Sequence, residues 1–233
     1  MSNIKGILFD FNGTLFFDSK LHMEAFRRYF KAHGIAVPTD EYMVHNIFGR
    51  TNEQIVRQNC DPNATEADVA AFSEEKEILY RDMCLSDPQS FHLVEGAEEL
   101  LDALLASKIP YCIATGAGLD NMKFYFEHFG LSRWFSLDKN VVYDDGSFNS
   151  KPAPDIYLLA AKKIGLAPEE CAVFEDGTSG MISATRANTG VLVAIFDPTL
   201  PDPLTAETKP VRIVHDLTDW KCIVENDLGI SLS

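Results

Sequence analysis

From Gly96 onward, short apolar runs alternate with amphipathic segments, and this alternation limits the chain to very few folds. The spacing predicts strands at 110–115, weakly at 141–142, at 171–174, at 191–196 and at 212–214. Helices are predicted between them, at 96–107, 119–129, 154–164 and 178–187, with a terminal helix after the last strand. Gly130 and Gly165 stand where two of the helices should stop. Strand alternating with helix means right-handed crossovers and a parallel sheet. One more strand belongs to this sheet. Ile7-Leu8-Phe9 is an apolar run bounded by turn signals, the mark of a buried, central, parallel strand. It stops at Asp10, before Phe11-Asn12-Gly13-Thr14. The expected architecture is therefore α/β, a Rossmann-like doubly wound parallel sheet.

Between the first strand and this alternating region the texture is helical. Leu21, Ala25, Phe26, Tyr29, Phe30 and His33 share one face of a helix over 20–33, which Gly34 ends. Thr39 or Asp40 can cap a second helix ending near Gly49. Thr51-Asn52-Glu53-Gln54 has capping-box spacing for a third. After the break at 61–65, a long helix runs to about Met83. The expected domains are thus an α/β core, 1–15 with 93–233, and an inserted α-helical cap domain, 16–92. An insertion at the ligand-binding edge of a sheet can act as a lid.

With 233 residues, 46% of them hydrophobic, the chain can bury a full core. Its net charge of -15 argues against nucleic acid or an anionic membrane as a partner. Five cysteines without a CxxC fit a reducing compartment. With no signal peptide or long apolar run, a cytoplasmic protein is expected; a monomer is the expected state, on no residue in particular.

Four features fall at strand ends or in the loops beside them, where open α/β sheets bind ligands. They are Asp10 with Asn12-Gly13-Thr14, Thr115 with Gly116, Lys151-Pro152, and Glu175-Asp176. Together they supply a carboxylate nucleophile, a hydroxyl with backbone amides, a cation and an acidic pair. Phosphoryl transfer to a carboxylate needs that set. Oxygen ligands suit Mg²⁺, and positive groups neutralise the equatorial oxygens. Each feature alone is a weak signal; for Asp10, an Asx turn after a strand would be the ordinary reading.

In order and in combination, the motifs resemble those of the haloacid dehalogenase superfamily, in its phosphatase and β-phosphoglucomutase-like branch with a helical cap. The matching stretches are 10–15, Asp18-Ser19 with His22, Thr115, 150–155 and Glu175-Asp176 with Gly180. The resemblance implies Asp10 as nucleophile and metal ligand. It implies the Asn12 backbone carbonyl and Asp176 as further ligands, with Glu175 beside them. Thr115 and Lys151 would bind the transferring phosphoryl group. The implied cofactor is Mg²⁺, and the implied partner is a small phosphorylated metabolite.

One residue departs from the family pattern. The second aspartate of the usual aspartate–x–aspartate is Asn12 here. In the family that carboxylate protonates the leaving oxygen and then activates the group that breaks the aspartyl-phosphate. An amide does neither, and loss of a general acid–base costs about 10²–10⁴ in rate. The expectation is a phosphoenzyme that forms from good leaving groups and breaks down slowly. His22 is the candidate substitute for the missing acid, with packing on the first cap helix as the plainer alternative. Arg50 and Thr51, in the loop 48–51, are candidates for gripping the rest of the substrate, and Gly116-Ala117-Gly118 reads as an amide-rich turn for phosphate oxygens. The rival functions are a sugar phosphomutase and a phosphate-binding or sensing protein with little turnover.

Overall fold

The computed structural model describes residues 3–48 and 50–232. Gly49, part of the predicted cap loop, lies outside the described residues. The chain divides into two compact units. One comprises Met1–Phe17 and Leu93–Ser233, the other Asp18–His92.

The first unit is built on a six-stranded sheet. Its strands are β1 (Gly6–Phe9), β2 (Tyr111–Gly118), β3 (Val141–Asp144), β4 (Cys171–Glu175), β5 (Val191–Ile195) and β6 (Arg212–Val214), in the spatial order β3-β2-β1-β4-β5-β6. Every pairing is parallel, as the alternation predicts. All four residues of β1 are buried, so both faces of the sheet are covered there. The register aligns Phe9 with Ile113 of β2 and with Phe174 of β4, which puts the ends of β1 and β4 level with Ile113, two residues short of Thr115.

Helices α5 (Ala97–Ala106), α6 (Leu119–Phe129), α7 (Asp155–Lys163) and α8 (Thr178–Arg186) connect the strands. Alternate residues of the strands, among them Leu8, Cys112, Val173 and Leu192, form one buried cluster with Tyr157 and Ala160 of α7 and Met181 and Ala184 of α8. That is the period-2 face of a sheet meeting the 3.6-period face of two helices.

One expectation is corrected here. Residues 116–118 are the end of β2, not a turn after it. The register shifts between Ala114 and Gly118, and Gly118 rejoins β3 opposite Asp144. The strand absorbs the extra residues as a bulge, a local device common beside functional sites. Pairing with β3 decides this, and a partner so distant in sequence leaves no local signal. The amide of Ala117 donates to Thr115 Oγ1 at 3.1 Å.

The second unit holds α1 (Ser19–Ala32), α2 (Asp40–Asn46), α3 (Asn52–Asn59) and α4 (Glu66–Ser86). Phe26 and Tyr29 of α1 meet Phe72 of α4, the tyrosine edge-on at 4.7 Å between ring centroids. Thr51 and Thr65 form capping boxes with Gln54 and Asp68, so local sequence starts both helices. No helix among the described residues is long and apolar enough to cross a membrane.

The five cysteines are all free thiols. Cys84, Cys112 and Cys171 are buried, whereas Cys60 and Cys222 are half-buried. Burial pushes the three buried thiols up to about 12, so they stay protonated and unreactive. An Ellman titration of the native protein should therefore modify Cys60 and Cys222 alone. The other three should react only after unfolding, and rapid modification of any of them in the native state would contradict their placement.

Candidate active site

Asp10 follows the last residue of β1 and is buried. Its backbone N–H donates to Phe174 O at 3.0 Å, extending the β1–β4 ladder by one rung. That rung places Asp10 opposite the end of β4, where Glu175 and Asp176 sit. The chain then turns sharply. The amides of Thr14, Leu15 and Phe16 all donate to Phe11 O, and Gly13 adopts φ +79°. Glycine is needed for a second reason: a Cβ on Gly13 would lie 2.0 Å from Asp176 Oδ2.

Lys151 reaches in from the loop before α7, and its side chain is buried. Its ammonium donates to Asp10 Oδ1 and to Glu175 Oε1, each at 2.5 Å. Burial alone would push this ammonium down, but the Asp10 and Glu175 carboxylates more than reverse that and hold it above its ordinary value. Lys151 therefore stays charged. Without it two buried carboxylates would face each other, and breaking a buried pair this way costs roughly 3–5 kcal/mol.

Glu175 has two further donors. Tyr157 OH donates to Oε1 at 2.8 Å and the Gly177 amide to Oε2 at 2.9 Å. Tyr157 is fully buried. Burial first, then the Glu175 and Asp10 carboxylates, raise its phenol well above the ordinary value, so it is a neutral donor. Gly180, in the first turn of α8, lets the carboxylate lie against the helix. A Cβ there would sit 1.6 Å from Glu175 Oε1.

Asp10, Glu175 and Asp176 are the one group of this kind among the described residues, with ligand oxygens all within 4.8 Å of one another. Three carboxylates against one ammonium leave two negative charges. An all-oxygen donor set with that surplus fits a hard divalent cation.

Asn12 is half-buried and held on two sides. Its Nδ2 donates to Tyr125 OH at 2.7 Å, and Thr115 Oγ1 lies 3.4 Å from its Oδ1. Tyr125 in turn stacks on Phe11 at 4.7 Å and lies edge-on to Phe16 at 6.2 Å. Thr115 is buried at the β2 bulge, and Gly116 beside it is exposed.

Asp10, Asn12, Thr115, Lys151, Glu175 and Asp176 thus converge at the carboxyl ends of β1, β2 and β4. His22, Arg50 and Thr51 belong to the second unit. There the His22 ring stacks face to face on Tyr80 at 3.9 Å. Its Nε2 lies 3.3 Å from Asp18 Oδ2 and its Nδ1 3.5 Å from Lys76 Nζ. Tyr80 OH also donates to Asp18 Oδ2, at 2.6 Å. Arg50 is exposed, and the Thr51 hydroxyl accepts from the Gln54 amide.

Sequence reasoning missed Tyr125, Tyr157 and Lys76. Tyr125 and Tyr157 lie on amphipathic helices, where a ring reads as packing, and Lys76 lies on a long helix, where a lysine reads as a solvated charge. Lys76 is buried beside the Phe26 ring, with its ammonium 5.0 Å from the ring centroid, and pairs with Glu77.

Comparison with known proteins agrees with this architecture. A family model for haloacid dehalogenase-like hydrolases matches residues 4–188. The chain is 30% identical over 230 residues to a probable pseudouridine-5'-phosphatase of Drosophila melanogaster, covering 92% of this chain and 90% of that protein. It is 29% identical over 182 residues to fructose-1-phosphate phosphatase YqaB of Escherichia coli, covering 78% and 91%. Among solved structures, a HAD hydrolase of family IA, variant 3, from Entamoeba histolytica superposes with a TM-score of 0.79. It shares 33% identity, with 93% of this chain and 95% of that one covered.

Proposed function

The chain belongs to the haloacid dehalogenase-like hydrolases, and from that premise we propose that it is a phosphatase acting on small phosphorylated metabolites of the sugar-phosphate kind. The observation that carries the reading is the Asp10–Lys151–Glu175 arrangement, with Asp176 beside it, at the ends of adjacent parallel strands. Relatives named as a pseudouridine-5'-phosphatase and a fructose-1-phosphate phosphatase support the substrate class.

Asp10 is the nucleophile. A carboxylate oxygen attacks phosphorus, a new O–P bond forms, and the bond from phosphorus to the substrate's alcohol oxygen breaks. Lys151 donates to the Asp10 carboxylate before the attack. It then neutralises charge on the transferring group, together with the Thr115 hydroxyl. Water next attacks the phosphorus of the aspartyl-phosphate, inorganic phosphate leaves, and the Asp10 carboxylate is restored. Asp10, Asp176, Glu175 and the Asn12 backbone carbonyl would hold Mg²⁺. When bound, that ion supplies positive charge at the phosphoryl oxygens. The alcohol leaving in the first half must take a proton, and Asn12 has none to give. The second half lacks a base for the same reason. The phosphoenzyme therefore forms readily only from good leaving groups and decays slowly.

The test is intact mass over time with Mg²⁺ and acetyl phosphate, whose leaving group needs little protonation. A lasting increment of one phosphoryl group is expected, absent in Asp10→Ala. If neither an adduct nor released phosphate appears, the enzymatic reading fails.

A further inference from the structure

The two oxygens of Glu175 have different surroundings. Oε1 accepts from Lys151 Nζ at 2.5 Å and from Tyr157 OH at 2.8 Å, whereas Oε2 accepts from the Gly177 amide at 2.9 Å. A carboxylate oxygen has two lone-pair sites. Oε1 is filled by its two donors, and Oε2 keeps one lone pair to give. Tyr157 also meets Lys151 directly, with the ammonium 5.2 Å from its ring centroid. One buried side chain of α7 therefore bears on both charged partners at once.

We infer that Tyr157 is a positioning residue that fixes the rotation of Glu175 and so decides which of its oxygens is offered to a divalent cation. The inference rests on the phosphatase reading above, in which Lys151 turns to the transferring phosphoryl group. The Lys151 ammonium has three N–H donors, two of them on Asp10 and Glu175, so a phosphoryl oxygen takes the third or displaces one of these carboxylates. When it changes partners, the Tyr157 hydroxyl is the donor that stays on Oε1. A phenol on a packed ring has one rotatable bond at its tip, so it holds this place more firmly than a four-carbon ammonium stem. A tyrosine here does work that phenylalanine, equally at home in the surrounding apolar cluster, cannot do.

The test is a calorimetric titration of Mg²⁺ into the parent protein, Tyr157→Phe and Tyr111→Phe. Tyr111 is a control: its hydroxyl also donates inside the core, to Trp134 O at 3.0 Å, away from the carboxylates. Partners that orient a metal ligand typically account for 10–100-fold in affinity. Tyr157→Phe should bind Mg²⁺ at least about 10-fold more weakly, and the Mg²⁺ concentration giving half-maximal activity should rise in step. Tyr111→Phe should match the parent in both. If Tyr157→Phe binds as tightly as the parent, the assignment of Tyr157 is wrong and the phosphatase reading stands. If the parent itself takes up no Mg²⁺, both fall. Phenylalanine keeps the ring in the core, and the cooperative melt of each variant checks that the fold is intact.

Discussion

Asn12→Asp should raise the turnover of a phosphomonoester by about 10² or more, the usual worth of a placed general acid–base group. The place for that carboxylate already exists. The Asn12 side chain lies between Tyr125 OH at 2.7 Å and Thr115 Oγ1 at 3.4 Å, and rings on either side hold Tyr125 in position. An aspartate of the same shape would replace a donor nitrogen by an acceptor oxygen. The phenol can answer by turning its own proton toward it. That bond favours the ionised form of the new carboxylate, which suits a base better than an acid. The larger gain should fall on water attack, the second half of the reaction. The phosphoenzyme expected to accumulate in the parent should then vanish from the mass spectrum while phosphate release from p-nitrophenyl phosphate rises. An unchanged rate would mean that the parent already has its proton carrier elsewhere.

Gly180→Ala should do the reverse, leaving a folded protein with little activity. The added methyl would overlap Glu175 Oε1, 1.6 Å away, and Glu175 Cδ, 2.0 Å away. The helix backbone cannot yield easily, so the carboxylate must. Moving it breaks its bonds to Lys151 and Tyr157 together. A hydrogen bond to a buried charge is worth roughly 1.5–3 kcal/mol, and alanine returns up to about 1 kcal/mol of helix propensity. The net loss is about 2–5 kcal/mol, so the melting temperature should fall by roughly 5–20 °C while the protein stays folded at ambient temperature. Function should fall much further, because the displaced group is one of three carboxylates in the cluster. Mg²⁺ affinity should drop by about 10–100-fold, the range for a misaligned ligand. Calorimetry and a thermal melt on one preparation separate the two effects. An unaltered Mg²⁺ affinity would show that Glu175 has no part in binding the ion.

The parts of this protein that were legible in its sequence share a physical cause. A buried parallel strand must be a continuous apolar run, so Ile7-Leu8-Phe9 announces itself, and the carboxylate that ends it stands out. Glu175 is visible for the same reason after 171–174. Residues that act through one polar atom on a packed helix are not. Tyr125 and Tyr157 satisfy helical periodicity whether or not their hydroxyls are bonded. Gly180 enters the sequence reading only as part of a motif, and that it makes room for Glu175 is seen only when the carboxylate is found against the helix. Lys76 reads as a solvated charge on a long helix, yet it is buried next to Phe26 with Glu77 as its partner. The β2 bulge depends on β3, a strand distant in sequence.

The central place of β1 also sets a timetable for synthesis. Lys5 and Glu170, whose side chains meet at 2.6 Å, are 165 residues apart, and β1 has no β4 to pair with until that stretch has been made. At about 5–20 residues per second, the first strand leaves the ribosome on the order of 10–30 s before that neighbour. During the wait the contiguous second unit, Asp18–His92, can be completed, while the apolar run ahead of Asp10 stays open on one edge. A nascent chain stalled before residue 171 would carry Asp10 but no β4 to seat it, and would leave Ile7-Leu8-Phe9 with an unpaired edge, the kind of apolar strand edge that pairs elsewhere.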